Sequence, residues 1–182
     1  MTTIAVTGHM DLTTDSAGPV RAALRKLLEE YTPGLVGRSC LAPGADTLFA
    51  EEVLALGGRL HAIVPSGDHR EAELEGADLA RFDALCAAAD GVAVMPYDHA
   101  GRDAYEAANR RLLVGADRLV AVWDGGAPSG RGGGTADTVA EARAAGVPVD
   151  VVWPPGSLRS GGSAGSGTDS HSGIDADADT SA

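Results

Sequence analysis

A run of three glycines and a threonine, Gly132 to Thr135, stands between an apolar segment typical of a buried strand and a segment with helical periodicity. Glycine raises the entropy cost of ordering a loop, so this run indicates that a bare backbone is needed there. Backbone N–H groups at a helix N-terminus, with Thr135 as the N-cap, bind anions with help from the helix dipole. The run predicts a phosphate site on Gly133, Gly134 and Thr135, and the alternative is a flexible surface loop with a threonine cap.

Two other loops carry residues suited to a ligand. Gly8 and His9 follow the first apolar segment, where glycine lets a ligand come close and the imidazole can donate to a phosphate. The alternative for His9 is a hydrogen bond to a neighbouring carbonyl. Gly44, Ala45 and Asp46 open a predicted helix, in which Asp46 is either an N-cap worth about 1 kcal/mol or a carboxylate that hydrogen-bonds a ribose or base.

A polar helical segment, RDAYEAANRRLL, supplies one more candidate. Tyr105 and Asn109 share one face of this helix, and Glu106 and Arg110 share another. The Asn109 amide is suited to a ligand's sugar or base. Arg110 either contributes its guanidinium to a ligand or forms an ion pair with Glu106 on a solvated face, worth a few tenths of a kcal/mol.

The elements that must position these residues alternate along the chain. Apolar runs predict strands, and helical patterns fill the intervals between them. Such alternation predicts an α/β fold, a single Rossmann-like three-layer sandwich with a mainly parallel sheet of about six strands. In this fold the loops that leave the carboxyl ends of the strands gather at one edge, where ligands bind. The predicted strands are 3–7, 36–41, 59–64, 92–95, 118–123 and 148–153, and the predicted helices are 18–31, 46–57, 69–89, 101–116 and 135–145.

Composition sets limits on partners and location. The formal charge of −12 argues against a nucleic-acid or membrane partner, because both bind through clusters of lysine and arginine. Two cysteines without metal-ligand spacing predict neither a disulfide framework nor a metal site. With no Walker lysine and no GxGxxG after the first strand, ATP hydrolysis and ordinary NAD binding are disfavoured, and we expect no cofactor. The first residues do not resemble a signal peptide, which favours a cytoplasmic location.

The composition changes near residue 156. Glycine, serine and aspartate dominate from there onward, and such a segment cannot bury enough apolar surface to offset its ordering entropy. The sequence therefore predicts one domain over residues 1–155 and a disordered tail over residues 156–182.

Four segments in order, TGHMD, APGADTLFAEEVL, ANRRLLVGADRLVAVWDG and GGGTADTVAEARAAGVPV, resemble the SLOG superfamily. This group unites DprA-like, YpsA-like and "lonely guy" Rossmannoid domains, and the resemblance covers about residues 3–154 and is nearest to small actinobacterial members. It implies binding of a nucleotide or a nucleotide-derived ligand, and pairing into a homodimer. It also implies a pocket lined by Gly8, His9, Gly44, Ala45, Asp46, Asn109, Gly133, Gly134 and Thr135.

The chain departs from that family at its catalytic positions. The lonely-guy phosphoribohydrolases carry a pattern like PGGxGTxxE, and aligning its GT on Gly134 and Thr135 places Thr138 at the catalytic glutamate. A threonine cannot act as a general acid or base near neutral pH. Met10 also stands where YpsA-like proteins have an arginine.

Three functions follow from the sequence. The first is a cytoplasmic nucleotide-binding or nucleotide-sensing protein that has no strong catalysis. The second is an N-glycosidase acting on a nucleoside monophosphate, with Asp46, Glu106 or Asp137 in place of the missing glutamate. The third is an interaction module whose loop edge is a partner surface.

Overall fold

The computed structural model describes residues 1–128 and 133–161, and its strands form one six-stranded sheet. All strand pairs are parallel, in the order β4-β3-β2-β1-β5-β6. The predicted α/β class and parallel sheet are therefore confirmed. The strands are β1 Thr2–Gly8, β2 Leu35–Ser39, β3 Arg59–Val64, β4 Gly91–Val94, β5 Arg118–Val122 and β6 Val149–Val151. The helices are α1 Thr14–Glu29, α2 Ala45–Ala55, α3 His69–Glu73, α4 Gly76–Ala88, α5 Arg102–Leu113 and α6 Thr135–Ala144.

The helices cover both faces of the sheet and make it a three-layer sandwich. On β1, Ile4 and Val6 point into a core shared with α1 and α2, whereas Ala5 between them belongs to a core shared with α5 and α6. Because successive side chains point to opposite faces, a strand buried on both sides must be apolar throughout. This is why the central strands appear in the sequence as uninterrupted apolar runs.

The order of the strands reverses between β1 and β5. From β1 the sheet grows through β2 and β3 to β4 on one side, and β5 and β6 are added on the other side of β1. The loops after β1 and β5 consequently diverge at their carboxyl ends. Such a switch point is where open α/β sheets bind ligands.

Two helices differ most from the sequence prediction. The single helix predicted over residues 69–89 is divided into α3 and α4, because Leu74 is extended (φ −124°, ψ 135°) and Gly76 takes a left-handed conformation. This break lets Leu74 bury its side chain in the same core cluster as Phe82 of α4. Helix α1 begins at Thr14, four positions before the predicted start at residue 18.

The folded part of the chain continues beyond the predicted boundary at residue 155. Leu158 donates its N–H to Ser16 Oγ (2.7 Å) and accepts from the Thr13 N–H (3.1 Å), so it ties this segment to the start of α1. Arg159 pairs with Asp11 at 2.9 Å. Unpaired groups at a helix N-terminus need such partners, a requirement that composition does not reveal. The remainder of the predicted tail, residues 162–182, lies outside the described residues. Within the described part of the chain, no helix is both long and apolar enough to cross a membrane.

Candidate ligand-binding site

A cavity of about 550 Å³ opens at the carboxyl edge of the sheet, beside the switch point between β1 and β5. Its wall is formed by the loops after β1, β2, β3 and β5 together with parts of α3, α5 and α6. Most of the predicted site residues meet around it: Gly8, His9, Asp46, Asn109, Gly133, Gly134, Thr135 and Asp137. Gly44, Ala45 and Glu106 fall outside the described lining residues.

The glycine run leads into α6 as expected, but the capping differs. Gly134, not Thr135, is the N-cap, and Thr135 is the first helical residue. The reason is that Asp137 reaches back to accept a hydrogen bond from the Gly134 N–H (3.1 Å), while the Thr138 hydroxyl donates to Gly134 O (3.1 Å). The amides of Thr135 and Ala136 belong to the first helical turn, which has no carbonyl partners inside the helix, and both residues line the cavity. Gly132 lies outside the described residues.

Asn109 holds the glycine run in place. Its Nδ2 donates to Gly133 O at 2.9 Å, linking α5 to the entry of α6. Gly133 has φ +70°, a left-handed conformation that favours glycine, and it packs against Tyr105. The sequence predicted that the side-chain amide of Asn109 contacts the ligand, but one of its N–H donors is already used to position the loop.

Gly8 and Gly44 fulfil packing requirements. A Cβ on Gly8 would lie 2.4 Å from Ala45 Cβ, so this glycine lets α2 approach the end of β1. Gly44 has φ +81°, and a Cβ there would lie 2.7 Å from His9 O. The Ala45 N–H donates to that same carbonyl at 3.1 Å. These residues therefore place the start of α2 at the cavity.

His9 is held by Asp124 and Trp153. Its Nε2 lies 3.2 Å from the Asp124 backbone N and 3.0 Å from Asp124 Oδ1, and its ring meets Trp153 edge-on. Burial raises the pKa of Asp124, but hydrogen bonds from the Gly126 amide and His9 outweigh it, and the pKa lies below its usual value. The Nε2 atom is thus engaged with the Asp124 carboxylate and backbone amide, and the phosphate contact of His9 stays a prediction.

Asp46 is a buried carboxyl group on the cavity wall. It is the second residue of α2, with Gly44 as the N-cap, and its Oδ2 accepts from the Cys40 N–H (3.1 Å) and Ser39 Oγ (3.3 Å). Burial raises the pKa of Asp46 to about 7, although these hydrogen bonds oppose the rise. A carboxyl group that titrates near neutral pH beside a cavity can serve as a general acid or base.

The other two candidate acids are placed differently. Glu106 pairs with Arg102 (2.8 Å) and Arg110 (3.7 Å) on the solvated side of α5. Asp137 lines the cavity, but its carboxylate already accepts a hydrogen bond from the Gly134 N–H. Thr138, the position aligned with the family's glutamate, is only 1% exposed and lies beneath the first turn of α6.

Arg159 is a cavity residue that the sequence prediction missed. Its guanidinium bonds Asp11 (2.9 Å) and Asp124 (3.4 Å), and it is the one arginine or lysine among the described lining residues. Carboxylates at Asp11, Asp46, Glu73 and Asp137 share the wall with it. The composition of the segment around Arg159 concealed it, because that segment is typical of a disordered tail.

His69 was also missed, although it ends the PSGDH segment after β3. The side chain is 4% exposed, and neither ring nitrogen has a hydrogen-bond partner among the described residues. An unpaired buried polar group costs about 1–3 kcal/mol. Burial lowers the pKa of His69, although nearby Glu73 and Asp68 favour the charged form. Tyr105 stands beside it, and burial together with the Glu73 carboxylate raises the Tyr105 pKa to about 12.

Comparisons with known proteins agree with this architecture. No family model matches the sequence, and no curated protein sequence matches it. Among solved structures, DNA processing protein A from Streptococcus pneumoniae superposes with a TM-score of 0.60 at 21% identity, over 83% of this chain and 50% of that one. The chain therefore shares a Rossmannoid α/β fold with this structure.

Two further neighbours share this fold. DNA processing protein A from Helicobacter pylori has a TM-score of 0.59 at 18% identity, over 82% of this chain and 64% of that protein. The Moco carrier protein from Chlamydomonas reinhardtii has a TM-score of 0.54 at 23% identity, over 85% of this chain and 78% of that protein. The chain thus spans about half the length of the pneumococcal protein and a larger share of the carrier protein. The resemblance inferred from the sequence is confirmed at the level of the fold.

Proposed function

We propose that this SLOG-type domain binds a small phosphate-bearing molecule of the nucleotide class in the cavity beside β1 and β5. One observation carries the proposal: a cavity of about 550 Å³ at the switch point has the N-terminus of α6 in its wall. The amides of Thr135 and Ala136, together with the Arg159 guanidinium, would hold the phosphate. Its volume is in the range of small-molecule sites.

The charges around the cavity favour a small ligand over a polyanion. The wall carries carboxylates at Asp11, Asp46, Glu73 and Asp137 but a single guanidinium among the described residues. The Helicobacter pylori neighbour, by contrast, has a single-stranded DNA binding mode. Nucleic-acid binding requires many phosphate contacts from lysine and arginine, and the chain as a whole has a charge of −12. One phosphate on local backbone amides avoids this repulsion.

The neighbour from Chlamydomonas reinhardtii supports the same class of function. That protein is a carrier of the molybdenum cofactor, which is a small ligand rather than a polymer. Binding without turnover is therefore the role we favour for this chain. A cytoplasmic location and a homodimer remain predictions from the sequence.

A second candidate function rests on Asp46. A carboxyl group with a pKa of about 7 on the cavity wall could protonate a leaving base, which would make the protein an N-glycosidase acting on a nucleoside monophosphate. The hydrogen bonds from Ser39 and Cys40 give this carboxyl a structural role as well. We rank binding first because the other two candidate acids are poorly placed for catalysis. Asp137 already accepts a hydrogen bond from the Gly134 N–H, and Glu106 is outside the described lining.

A thermal-shift panel tests the proposal. Nucleoside mono-, di- and triphosphates, dinucleotides, ADP-ribose and inorganic phosphate are each mixed with the full chain, and chromatography of each mixture detects released base. We expect at least one nucleotide to raise the melting temperature and no base to be released. If none stabilises the protein at millimolar concentration, the proposed function is wrong. Released base that Asp46→Asn abolishes would instead establish the hydrolase.

A matched pair of arginine variants locates the ligand. Arg159→Ala should reduce the shift produced by a nucleotide and by inorganic phosphate alike, since the guanidinium lies on the cavity wall. Arg118→Ala should leave both shifts unchanged, because Arg118 pairs with Asp150 outside the described lining. Equal responses of the two variants would place the anion elsewhere.

A further inference from the structure

Strand β4 lies at one end of the sheet, and its outer edge is open. All its residues are exposed, including Val92 (47%) and Val94 (57%), and its only neighbour among the described strands is β3. An open edge carries unpaired N–H and C=O groups, and proteins usually protect such edges with charged side chains or proline. The sequence of β4, GVAV, contains neither, so this edge is unprotected.

The opposite edge of the sheet, β6, is protected in both ways. Asp150 at its centre pairs with Arg118 of β5 at 2.7 Å, and Pro148 directly precedes the strand. An exposed valine occurs here too, because Val151 is 49% exposed. The two edges therefore differ in their protection rather than in their apolar side chains, and β4 is the one that can add a strand.

The pairing of β3 with β4 determines which backbone groups point to the open edge. Val64 of β3 is level with Val94, and the Met95 N–H donates to Val64 O at 2.9 Å. In a parallel pair, alternate residues of a strand bond the neighbouring strand, so Ala93 and Met95 bond β3. The N–H and C=O groups of Val92 and Val94 therefore point away from β3, toward the open edge.

These free groups are complementary to those of a second copy. When two such strands run antiparallel about a twofold axis at Ala93, Val92 of each copy lies opposite Val94 of the other. Residues in that arrangement exchange both of their N–H···O bonds, so every free group of the two valines is paired. The register also places these valines side by side on the face covered by α4, because Val92 is level with Ala62 of the core cluster that includes Leu85.

The charges near β4 also favour a second copy. None of its four residues is charged, so two chains with a formal charge of −12 can approach each other at this edge. Arg38 and Arg111 line a groove beside Gly91 at the amino end of β4, and neither forms an ion pair within the described part of the chain. Asp98 is exposed just beyond the carboxyl end. Antiparallel pairing brings the carboxyl end of each strand toward the arginines of the other copy, which places opposite charges together.

We propose that two copies of this chain pair through β4, antiparallel about a twofold axis at Ala93, and join their sheets into one continuous sheet. This inference goes beyond the proposed function and does not depend on it. A strand from another protein is the alternative occupant of the edge. The second copy is favoured because its free groups, its uncharged strand and its flanking charges all match in a single register.

Sedimentation velocity of the full chain from about 1 μM to about 1 mM measures the pairing, because a contact this small predicts a Kd in about the micromolar range. Val92→Lys places an ammonium beside Val94 of the second copy, and the twofold axis repeats the change, so Kd should rise at least about a hundredfold. Val151→Lys is the matched control, since it changes an equally exposed valine on the opposite edge, and it should dimerise like the wild type. Thermal unfolding at the lowest concentration should show that both variants are folded.

A cysteine at the axis tests the register. Opposite residues in a non-hydrogen-bonded antiparallel pair have Cα atoms about 4.5 Å apart, which is within the range of a disulfide. Ala93→Cys should therefore form a covalent dimer under mild oxidation, and a reductant should reverse it. The wild type, which contains Cys40 and Cys86, should stay uncrosslinked on a non-reducing gel, and so should Val151→Cys.

Each result bears on the pairing of β4. A dimer that Val92→Lys dissociates, that Val151→Lys retains and that Ala93→Cys captures supports the proposal. A wild type that is still monomeric at about 1 mM overturns it and leaves the edge to a strand of another protein. If Val92→Lys dimerises as tightly as the wild type, or if Val151→Lys abolishes the dimer, the copies pair through another surface and the proposal is wrong. A dimer that Ala93→Cys does not capture refutes the register.

Discussion

Replacing Gly8 by alanine should destabilise the fold strongly, because three atoms of fixed structure occupy the space of the new methyl group. An added Cβ would lie 2.4 Å from Ala45 Cβ, 2.8 Å from Val122 Cβ and 2.9 Å from Val122 O. Carbon atoms in contact are normally about 3.5–4.0 Å apart. None of the three atoms can rotate away, so β1, β5 and the start of α2 must separate.

The expected cost follows from that overlap. Overpacking a well-packed core costs about 1–3 kcal/mol, and we expect about 3 kcal/mol here because the clash involves backbone and Cβ atoms. Separation would also lengthen the hydrogen bond from the His9 N–H to Val122 O, now 3.0 Å. For a domain of this size, about 3 kcal/mol corresponds to roughly 6–12 °C in melting temperature.

Gly18→Ala is the matched control for this measurement. Gly18 lies inside α1, and no described atom comes within 4 Å of a Cβ placed there. Alanine is favoured over glycine in a helix by about 0.5–1 kcal/mol, but a Cβ directly before Pro19 opposes that gain, so this variant should melt close to the wild type. Thermal and urea unfolding of both variants without ligand give the two differences. If Gly8→Ala melts within about a degree of the wild type, Gly8 is not required for packing, and ligand approach becomes the better explanation for it.

Three more predictions concern the edges of the cavity. Ending the chain after residue 161 should leave the melting temperature unchanged, whereas ending it after residue 156 should lower it by several degrees, because Leu158 and Arg159 are then lost; equal melting temperatures would show that these contacts add no stability. The folded-state pKa of Asp46, about 7, exceeds the ordinary aspartate value of 3.8, so its contribution to stability is present below about pH 4 and is lost as pH rises to 7. Asp46→Asn should therefore gain in melting temperature relative to the wild type between about pH 4 and pH 7, and a constant difference would refute the raised pKa. Asp137→Asn should bind inorganic phosphate severalfold more tightly than the wild type, because it removes a negative charge from the start of α6 while keeping an acceptor for the Gly134 N–H; weaker calorimetric binding would contradict an anion site there.

The sequence by itself determined the fold class, and it predicted the edge of the sheet at which we propose that a ligand binds. Uninterrupted apolar runs such as 118–123 and intervening helical patterns are local features, and a parallel sheet is the arrangement that buries both faces of such strands. A glycine run ahead of a helical pattern also marks where that helix begins, because capping and turn requirements act over a few neighbouring residues. These patterns are recognised without knowledge of tertiary contacts.

Only the tertiary structure decided which of the candidate site residues are already used in packing or in hydrogen bonds. Gly8 faces Ala45, and the cavity includes Arg159, although the composition of its segment predicted a disordered tail. Asp46 gains its raised pKa from burial, and His69 is enclosed beside Phe82 with no hydrogen-bond partner among the described residues. Desolvation and close packing depend on atoms brought together from distant parts of the chain, and periodicity along the sequence carries no record of those atoms.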